Sequence, residues 1–518
     1  WGGSRGDYYR VDLDTGERAL MAEGVGRQMG ASDDGTWWLF LRDEEVMARE
    51  LATGEEMNLT RTSGVDFIDR QDDHPYELPA YGTAGWSRDG ESVVLYHRYD
   101  IWEVPLDGSE AVNLTRGMGT EEQIRFRITR MGDEGPGRFV DRGDEEGIDL
   151  DEPLLLSAYG DRTKKSGYWE LEKGDDPEPI IWLDKSVGRP SKADDADRIL
   201  FTQQTFVEFP DYWVSDTEFR NPRKVTNANH QQDDFAWSPG RVLVDYVDDR
   251  GNELQATLAL PAGYEEGQRY PMLVYFYELM SQRHHQYAAP RYDDRPHMST
   301  YASNGYLVLQ PDIVYTIGEP GSSALDDLTA AVTKVMELGY ADPEAIGLQG
   351  HSWGGYQSSF VVTQTDLFSA VVTGAPPTNL ISFYNTLYRS SGNIQQGITE
   401  VGQVRMGTTP FEDFDLFVSQ SPVHHAEDIT TPFMILHGTA DGAVDWMQGL
   451  EYYGMARRLK KEVIFLSYPD EGHHLSRKDN QIDFQIRMMQ FFDHYLKGAQ
   501  PARWMEEGVP FLEKEYAN

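Results

Sequence analysis

The sequence predicts a two-part protein. An all-β N-terminal part precedes an α/β part built on a mostly parallel sheet with helices on both faces. Three observations carry the prediction. Short strands broken by Asp-Gly and Thr-Gly turns recur from the start of the chain to about residue 240. From about 241, apolar strand-like runs alternate with stretches of helical periodicity. The 518 residues also exceed a single domain, which usually holds about 100–200.

In the first part a loose unit recurs: an aromatic or apolar strand, a tight turn, then a polar strand. It reads YYRVDLDTGERAL (8–20), MARELATGEEMNLT (47–60), DIWEVPLDGSEAVNLT (100–115), YWELEKGDDPEPII (168–181) and YWVSDTEFRNPRKVT (212–226). SDDG (32–35), SRDG (87–90) and WSPG (237–240) are further turn signals. Asp-Gly and Thr-Gly between apolar runs favour hairpins, because glycine takes the positive φ these turns need. A spacing of roughly 40–65 residues suits one four-stranded propeller blade. The rival, a β-sandwich, turns more often and without self-similarity. Residues 1–240 are therefore expected to be blades of a β-propeller, and a cut one, since a full propeller of this kind needs more chain. Residue 1 is Trp and strand-like residues follow almost at once. The natural N-terminus, with any targeting segment, is expected to be missing, so the compartment is not legible.

In the second part, RVLVDYV (241–247) and ELQATLALP (253–261) read as an antiparallel pair. PMLVYFY (271–277), YLVLQPDIV (306–314), AIGLQG (345–350), FSAVVTG (368–374), PFMILHG (432–438) and EVIFLSYP (462–469) read as buried strands. ALDDLTAAVTKVMELG (324–339) has apolar residues at 325, 328, 331, 332 and 335, the spacing of one helical face. WGGYQSSFVVTQ (353–364), WMQGLEYYGMARRLKK (446–461) and DFQIRMMQFFDHYLKG (483–498) are further helices. Strands buried on both faces and separated by helices imply a parallel sheet, and residues 241–518 form this domain.

Composition narrows the function. Hydrophobic residues make up 39% and aromatics 12%, which excludes disorder by composition. No apolar run approaches the ~18–20 residues of a membrane-spanning helix. Against 46 Lys and Arg stand 87 Asp and Glu, a net charge of −41. Such a surface repels phosphate backbones and anionic lipid, so no nucleic-acid or membrane partner is expected. The acid is spread along the chain, as on a highly solvated surface; attraction of cationic peptides is the alternative. Cysteine is absent, which removes disulfides, thiolate metal sites and a cysteine nucleophile.

The chemistry centres on LQGHSWGGYQ (348–357), where Gly350, Ser352 and Gly354 make a G-x-S-x-G. In a chain with 49 Gly this pattern needs context. A strand before it and a helix after it supply that context, and mark an α/β-hydrolase nucleophile turn. There the serine hydroxyl projects above the sheet, and the next backbone N–H, that of Trp353, faces the reacting carbonyl. A serine needs a base, and in this fold the acid and then the histidine follow in loops after later strands. LHGTADGAVDW (436–446) offers Asp441, and YPDEGHHLSRKDN (468–480) offers His473 as general base. Asp445, Asp470, Glu471 and His474 are nearby alternatives, and His437 reads as a support of the strand end. The paired histidines 284–285 and 424–425 point to opposite sides in extended chain, and no metal or cofactor is expected.

These residues resemble the prolyl oligopeptidase family of serine peptidases. The likeness rests on GHSWGGYQ (350–357), HGTADGAV (437–444) and DEGHHL (470–475) in that order, with RYPMLVYFY (269–277) and the blades ahead of them. It covers about 241–500, and 1–240 more weakly. The resemblance implies a hydrolase of short peptides, with the propeller limiting access to the active site. It implies that the Tyr277 hydroxyl joins the Trp353 N–H in an oxyanion hole. It also implies an apolar specificity pocket from APPTNLISFYNTLY (375–388), with Leu380, Phe383, Tyr384 and Leu387, together with Val444. Dipeptidyl-aminopeptidase members grip a free N-terminus with paired glutamates. DEE (43–45), TEEQ (120–123) and DEEG (144–147) are candidates, none assigned. A carboxylic-ester or acylaminoacyl hydrolase is the alternative enzyme, and a peptide-binding scaffold the alternative of another class.

Overall fold

The computed structural model describes residues 5–129, 131 and 147–509. The chain forms two compact units: Trp1–Asn229 with His285–Tyr287, and His230–His284 with Ala288–Asn518.

The first unit is a succession of antiparallel sheets. A two-stranded sheet (Gly6–Val11, Arg18–Val25) is followed by four-stranded sheets within 27–58, 83–113 and 124–183, and a five-stranded one within 186–224. In each four-stranded sheet the strands pair in chain order, the meander of a propeller blade. The turns are those read from the sequence: Gly54 and Gly108 both take φ 81°, a conformation that costs glycine little. Each blade is buried on both faces. Along Trp37–Arg42, Leu39 and Leu41 join one cluster with Trp86, Val93 and Leu95 of the next sheet. Trp38 and Phe40 turn the other way, to Ala22 and Val25 of the preceding one. Period-2 alternation thus stacks sheet on sheet. Of the candidate glutamates, Glu44 pairs with Arg70, and Glu45 with Arg61 at 2.8 Å. Glu121 and Glu122 are exposed, and 144–146 lie outside the described residues.

The second unit is built on one eight-stranded sheet. Its strands are β1 (Arg241–Val247), β2 (Glu253–Ala259), β3 (Tyr270–Tyr275), β4 (Leu307–Pro311), β5 (Ala341–His351), β6 (Ala370–Gly374), β7 (Phe433–Gly438) and β8 (Val463–Tyr468). Their order is β1-β2-β4-β3-β5-β6-β7-β8. β2 runs antiparallel to both its neighbours, and all pairs from β4 onward are parallel. Helices lie on both faces. Ile346 and Leu348 of β5 share a cluster with Leu328, Val332 and Val335 of helix Pro320–Glu337. A Cβ on Gly347, between them, would come within 2.8 Å of Leu496 and Phe492 of helix Lys478–Lys497.

The units divide at 229/230 rather than at 240. The run-in to β1 belongs to the second unit because Ser238 Oγ donates to the Leu260 carbonyl at 2.6 Å. Strand YLVLQPDIV stops at Pro311; Asp312 N still donates to the Gln255 carbonyl of β2 at 3.0 Å, and its carboxylate accepts from the N–H of Met280 and Ser281.

A buried charge cluster ties the β1–β2 turn to helix Pro320–Glu337. Arg250 donates to Asp327 at 2.6 Å and lies 3.0 Å from Asp248 and 3.1 Å from Asp326. Burial pushes the Asp327 carboxyl up to about 8, aided by its hydrogen bond to Asp248. Between the ordinary carboxyl value near ~3.9 and that raised one, the unfolded chain has lost a proton that the folded chain keeps. Stability from this group is complete below the lower value and is lost as pH rises through the upper. Asp327→Asn keeps the shape and has no proton to lose. Its melting temperature relative to the parent is expected to rise by about 2–4 °C or more between pH 5 and 8.5, by thermal unfolding. Parallel curves would place the proton elsewhere.

Candidate active site

β5 turns into helix Trp353–Gln364 through one residue, Ser352, at φ 60°, ψ −118°. This region is strained for any residue with a side chain, and the surroundings hold it there. Ser352 N donates to the Gly374 carbonyl at 2.8 Å, and Tyr356 N to the Ser352 carbonyl at 2.9 Å. Glycine is required on either side. A Cβ on Gly350 would lie 1.9 Å from the Gly354 carbonyl oxygen, and one on Gly355 2.2 Å from that of Gly374. Backbone packs where side chains would go, and the serine hydroxyl is left facing a cavity of about 410 Å³.

Two loops meet at that hydroxyl. The loop after β7 carries Asp441 and the loop after β8 carries His473. They are stitched together by Thr439 N to the Tyr468 carbonyl, 3.0 Å, and Ala440 N to the Glu471 carbonyl, 2.9 Å. His473 Nε2 lies 2.8 Å from Ser352 Oγ, and His473 Nδ1 2.8 Å from Asp441 Oδ2. Asp441 Oδ1 accepts from the backbone N–H of Ala443 at 2.8 Å and Val444 at 2.9 Å. Burial disfavours a charged Asp441, but hydrogen bonds from His437 and His473 outweigh it and hold its pKa well below the usual carboxylate range. An ionised carboxylate, an imidazole and a hydroxyl in line can pass a proton from oxygen to nitrogen.

The neighbouring acids and histidines have other tasks. Asp445 caps helix Trp446–Arg458 and pairs with Arg389 at 2.5 Å. Glu471 accepts from Ser476 N, Arg477 N and Asn480, which shapes the histidine loop. Asp470 is exposed, 3.8 Å from Arg477. His437 Nε2–H is shared between the Val444 carbonyl at 3.1 Å and Asp441 at 3.3 Å. His474 Nδ1–H donates to Asp294 at 2.9 Å. Its ring stacks on that of His351, with centroids 4.7 Å apart, and His351 Nε2–H donates to the His473 carbonyl at 2.8 Å. Burial pushes His351 down to about 4, so it is a neutral donor bracing the loop. His351, His473 and His474 have ring nitrogens within 4.8 Å of one another. Both nitrogens of His473 are already engaged by Ser352 and Asp441, so the group is a hydrogen-bonded one.

Tyr277, just after β3, lines the cavity together with Ser352, and Gln403 Nε2 donates to its hydroxyl at 3.1 Å. Burial raises the phenol above its ordinary value, so it keeps its proton at neutral pH. The Trp353 side chain is spent on packing: it stacks on Tyr356 at 4.6 Å and donates to the Tyr315 hydroxyl at 3.0 Å. Its backbone N–H, in the first helical turn, has no intrahelical acceptor.

The five pocket residues divide. Phe383 and Val444 line the cavity. Leu380 and Tyr384 do not. They lie four apart on the face that helix Leu380–Tyr384 turns to the core, and the Tyr384 hydroxyl donates to Glu400 at 2.6 Å. Leu387 is 52% exposed. It sits in a short strand whose alternation sends its neighbour Tyr388 to the cavity instead. Ile398, Gln403, Val404, Arg283, Arg295 and Asp294 carry no local motif; only the fold brings them here.

Comparison with known proteins places this geometry. Residues 295–499 match the prolyl oligopeptidase family. The uncharacterized peptidase YuxL of Bacillus subtilis (strain 168) is 26% identical over 252 residues, 45% of this chain and 35% of that protein. The acylamino-acid-releasing enzyme of Arabidopsis thaliana is 28% identical over 188 residues, 35% of this chain and 24% of that enzyme. The matched stretches thus span about a third or less of these relatives. The structure of a Mycobacterium tuberculosis puromycin-hydrolyzing peptidase superposes with a TM-score of 0.61 at 16% identity, over 93% of this chain and 72% of that one. That likeness is one of fold: an α/β-hydrolase domain with an N-terminal β domain. Among the described residues no helix is long and apolar enough to cross a membrane. The stretch of chain that carries Ser352, Asp441 and His473 is a prolyl oligopeptidase family domain.

Proposed function

We propose that this chain is a serine peptidase that cleaves short peptides through an acyl-enzyme. Ser352 attacks the scissile carbonyl, His473 takes the hydroxyl proton and later gives it to the leaving amine, and Asp441 fixes the imidazole and offsets its charge. The Tyr277 hydroxyl and Trp353 N–H receive the oxyanion. The observation that carries this reading is the unbroken Ser352–His473–Asp441 chain at 2.8 Å and 2.8 Å. Phe383 and Val444 border the acyl side, and their apolar surface favours an apolar side chain before the scissile bond. The family likeness supports a role for the N-terminal blades in restricting substrates to short, flexible peptides.

A second reading, an acylaminoacyl or carboxylic-ester hydrolase, is supported by the similarity to the Arabidopsis thaliana acylamino-acid-releasing enzyme. The triad chemistry is common to both. One experiment separates the readings and tests their shared base. The chain is treated with a fluorophosphonate, the adduct is mapped, and anilides blocked and unblocked at the N-terminus are assayed beside aryl esters. An adduct on Ser352 with turnover of unblocked peptide anilides is expected. Turnover of N-acylated substrates alone selects the second reading. A folded chain that takes no adduct and turns over nothing is a peptide-binding scaffold.

A further inference from the structure

The lining of the cavity at Ser352 is chemically mixed. Phe383, Ile398, Val404 and Val444 are its apolar members. Arg283, Arg295 and His474 line it too. In a chain with 87 Asp and Glu against 46 Lys and Arg, chance would put acid in this lining more often than base. Among the described residues that line it there are two arginines and no Asp or Glu.

The two arginines are held differently. Arg295 is anchored from behind: its guanidinium lies 3.2 Å from Asp293 and 3.7 Å from Asp294. Arg283 closes the short turn Ser281–Arg283, whose backbone is fixed by the Asp312 carboxylate accepting from Ser281 N at 2.7 Å. The Arg283 carbonyl accepts from Arg241 at 2.7 Å. Its guanidinium is exposed and pairs with no carboxylate among the described residues. A fixed backbone presenting an unpaired guanidinium to a cavity that a second, pre-oriented one also lines suits a carboxylate.

The reaction geometry says which fragment brings that carboxylate. The oxyanion donor Tyr277 is held by Gln403, whose chain neighbour Val404 is one of the apolar lining residues. The imidazole that protonates the leaving amine is His473. Beyond it come His474, the Asp294 it bonds, and Arg295, next in the chain. Tyr275 lines the cavity together with Arg295 and Arg283. On the peptidase reading, the group that protonates the leaving amine is thus followed by His474 and, through Asp294, by Arg295.

We propose that Arg283 and Arg295 form a leaving-group subsite for a carboxylate, so that the enzyme favours substrates with an anionic group close after the scissile bond. This rests on the peptidase reading and adds the chemistry of the released fragment. That group is either the C-terminal carboxylate of a fragment one or two residues long, or an Asp or Glu side chain.

The test uses peptides with one acyl part and three leaving fragments: alanine with a free carboxylate, alanine amide and glutamic acid α-amide. Charge-assisted pairing is expected to raise kcat/KM for the free acid at least about tenfold over alanine amide. Added salt at 0.5 M should compress that ratio, since exposed charges are screened. In Arg283→Gln the ratio should fall toward unity, with Arg283→Lys in between. The salt series on the parent chain keeps the test valid if a variant misfolds. Glutamic acid α-amide matching the free acid identifies a side-chain carboxylate, and alanine amide and glutamic acid α-amide alike being poor identifies the C-terminal one; either supports the subsite. Equal rates for all three, with Ser352 labelled by fluorophosphonate, overturn the subsite and leave the peptidase reading standing. No labelling and no turnover overturn both.

Discussion

Ser352→Ala is expected to lower kcat on a short peptide anilide by on the order of 10⁶-fold. Without the hydroxyl no acyl-enzyme can form. What remains is binding and polarisation of the carbonyl by Tyr277 and the Trp353 N–H, which by themselves leave roughly 10³–10⁴ over water. The fold should not suffer, because the Ser352 side chain serves no packing role: its bond is to His473. The strain at φ 60°, ψ −118° belongs to the backbone and persists in the alanine variant. Ser352→Gly relieves it, at about 1–3 kcal/mol for such a conformation, partly offset by glycine's freedom in the unfolded chain. Two measurements check this together. Steady-state kinetics should show both variants inactive, while thermal unfolding should rank glycine at or above alanine. Residual turnover above about one-thousandth of the parent's in either purified variant would put the nucleophile elsewhere.

The tight turn at Ser352 was legible because its constraints are local. Gly350, Ser352 and Gly354 sit within one turn, and the strand and helix flanking them announce themselves by apolar pattern. Asp441 and His473 were legible because each follows a strand end by a few residues, where this fold puts such groups. The blades were legible from Asp-Gly and Thr-Gly turns, again a local signal. The apolar wall was only partly so. Choosing Leu387 over Tyr388 picks the wrong face of a two-residue strand, and no propensity marks which face meets the cavity. Leu380 and Tyr384 have the apolar character of a pocket wall, but a helix one turn long gives its best face to the core. Gln403, 126 residues from the Tyr277 it holds, and Asp294, 180 residues from His474, were beyond reach. Their roles arise from tertiary closure, not from a pattern along the chain.

Asp441→Asn should reduce kcat by about 10⁴-fold with the fold intact, and the reason is the direction of one hydrogen bond. Oδ1 of residue 441 accepts from Ala443 N and Val444 N at 2.8 and 2.9 Å, and an asparagine oxygen preserves both bonds. Its amide nitrogen then takes the place of Oδ2, facing His473 Nδ1 at about the parent separation of 2.8 Å. An N–H there donates where the carboxylate accepted. The imidazole answers by placing its proton on Nε2, aimed at the Ser352 oxygen it should deprotonate. Base and nucleophile then both present hydrogen, and the positive charge that develops on the ring has no carboxylate to offset it. The loss therefore falls on kcat, with KM nearly unchanged. The same variant removes a carboxylate whose folded pKa is depressed. That group stabilises the fold above its unfolded pKa, and the contribution is lost as pH falls through the folded one. Melting curves of parent and variant should accordingly converge as the solution is acidified, with the parent giving up more. A variant that keeps more than about a tenth of the parent's kcat would mean that His437, 3.3 Å from Asp441, or another group orients the imidazole.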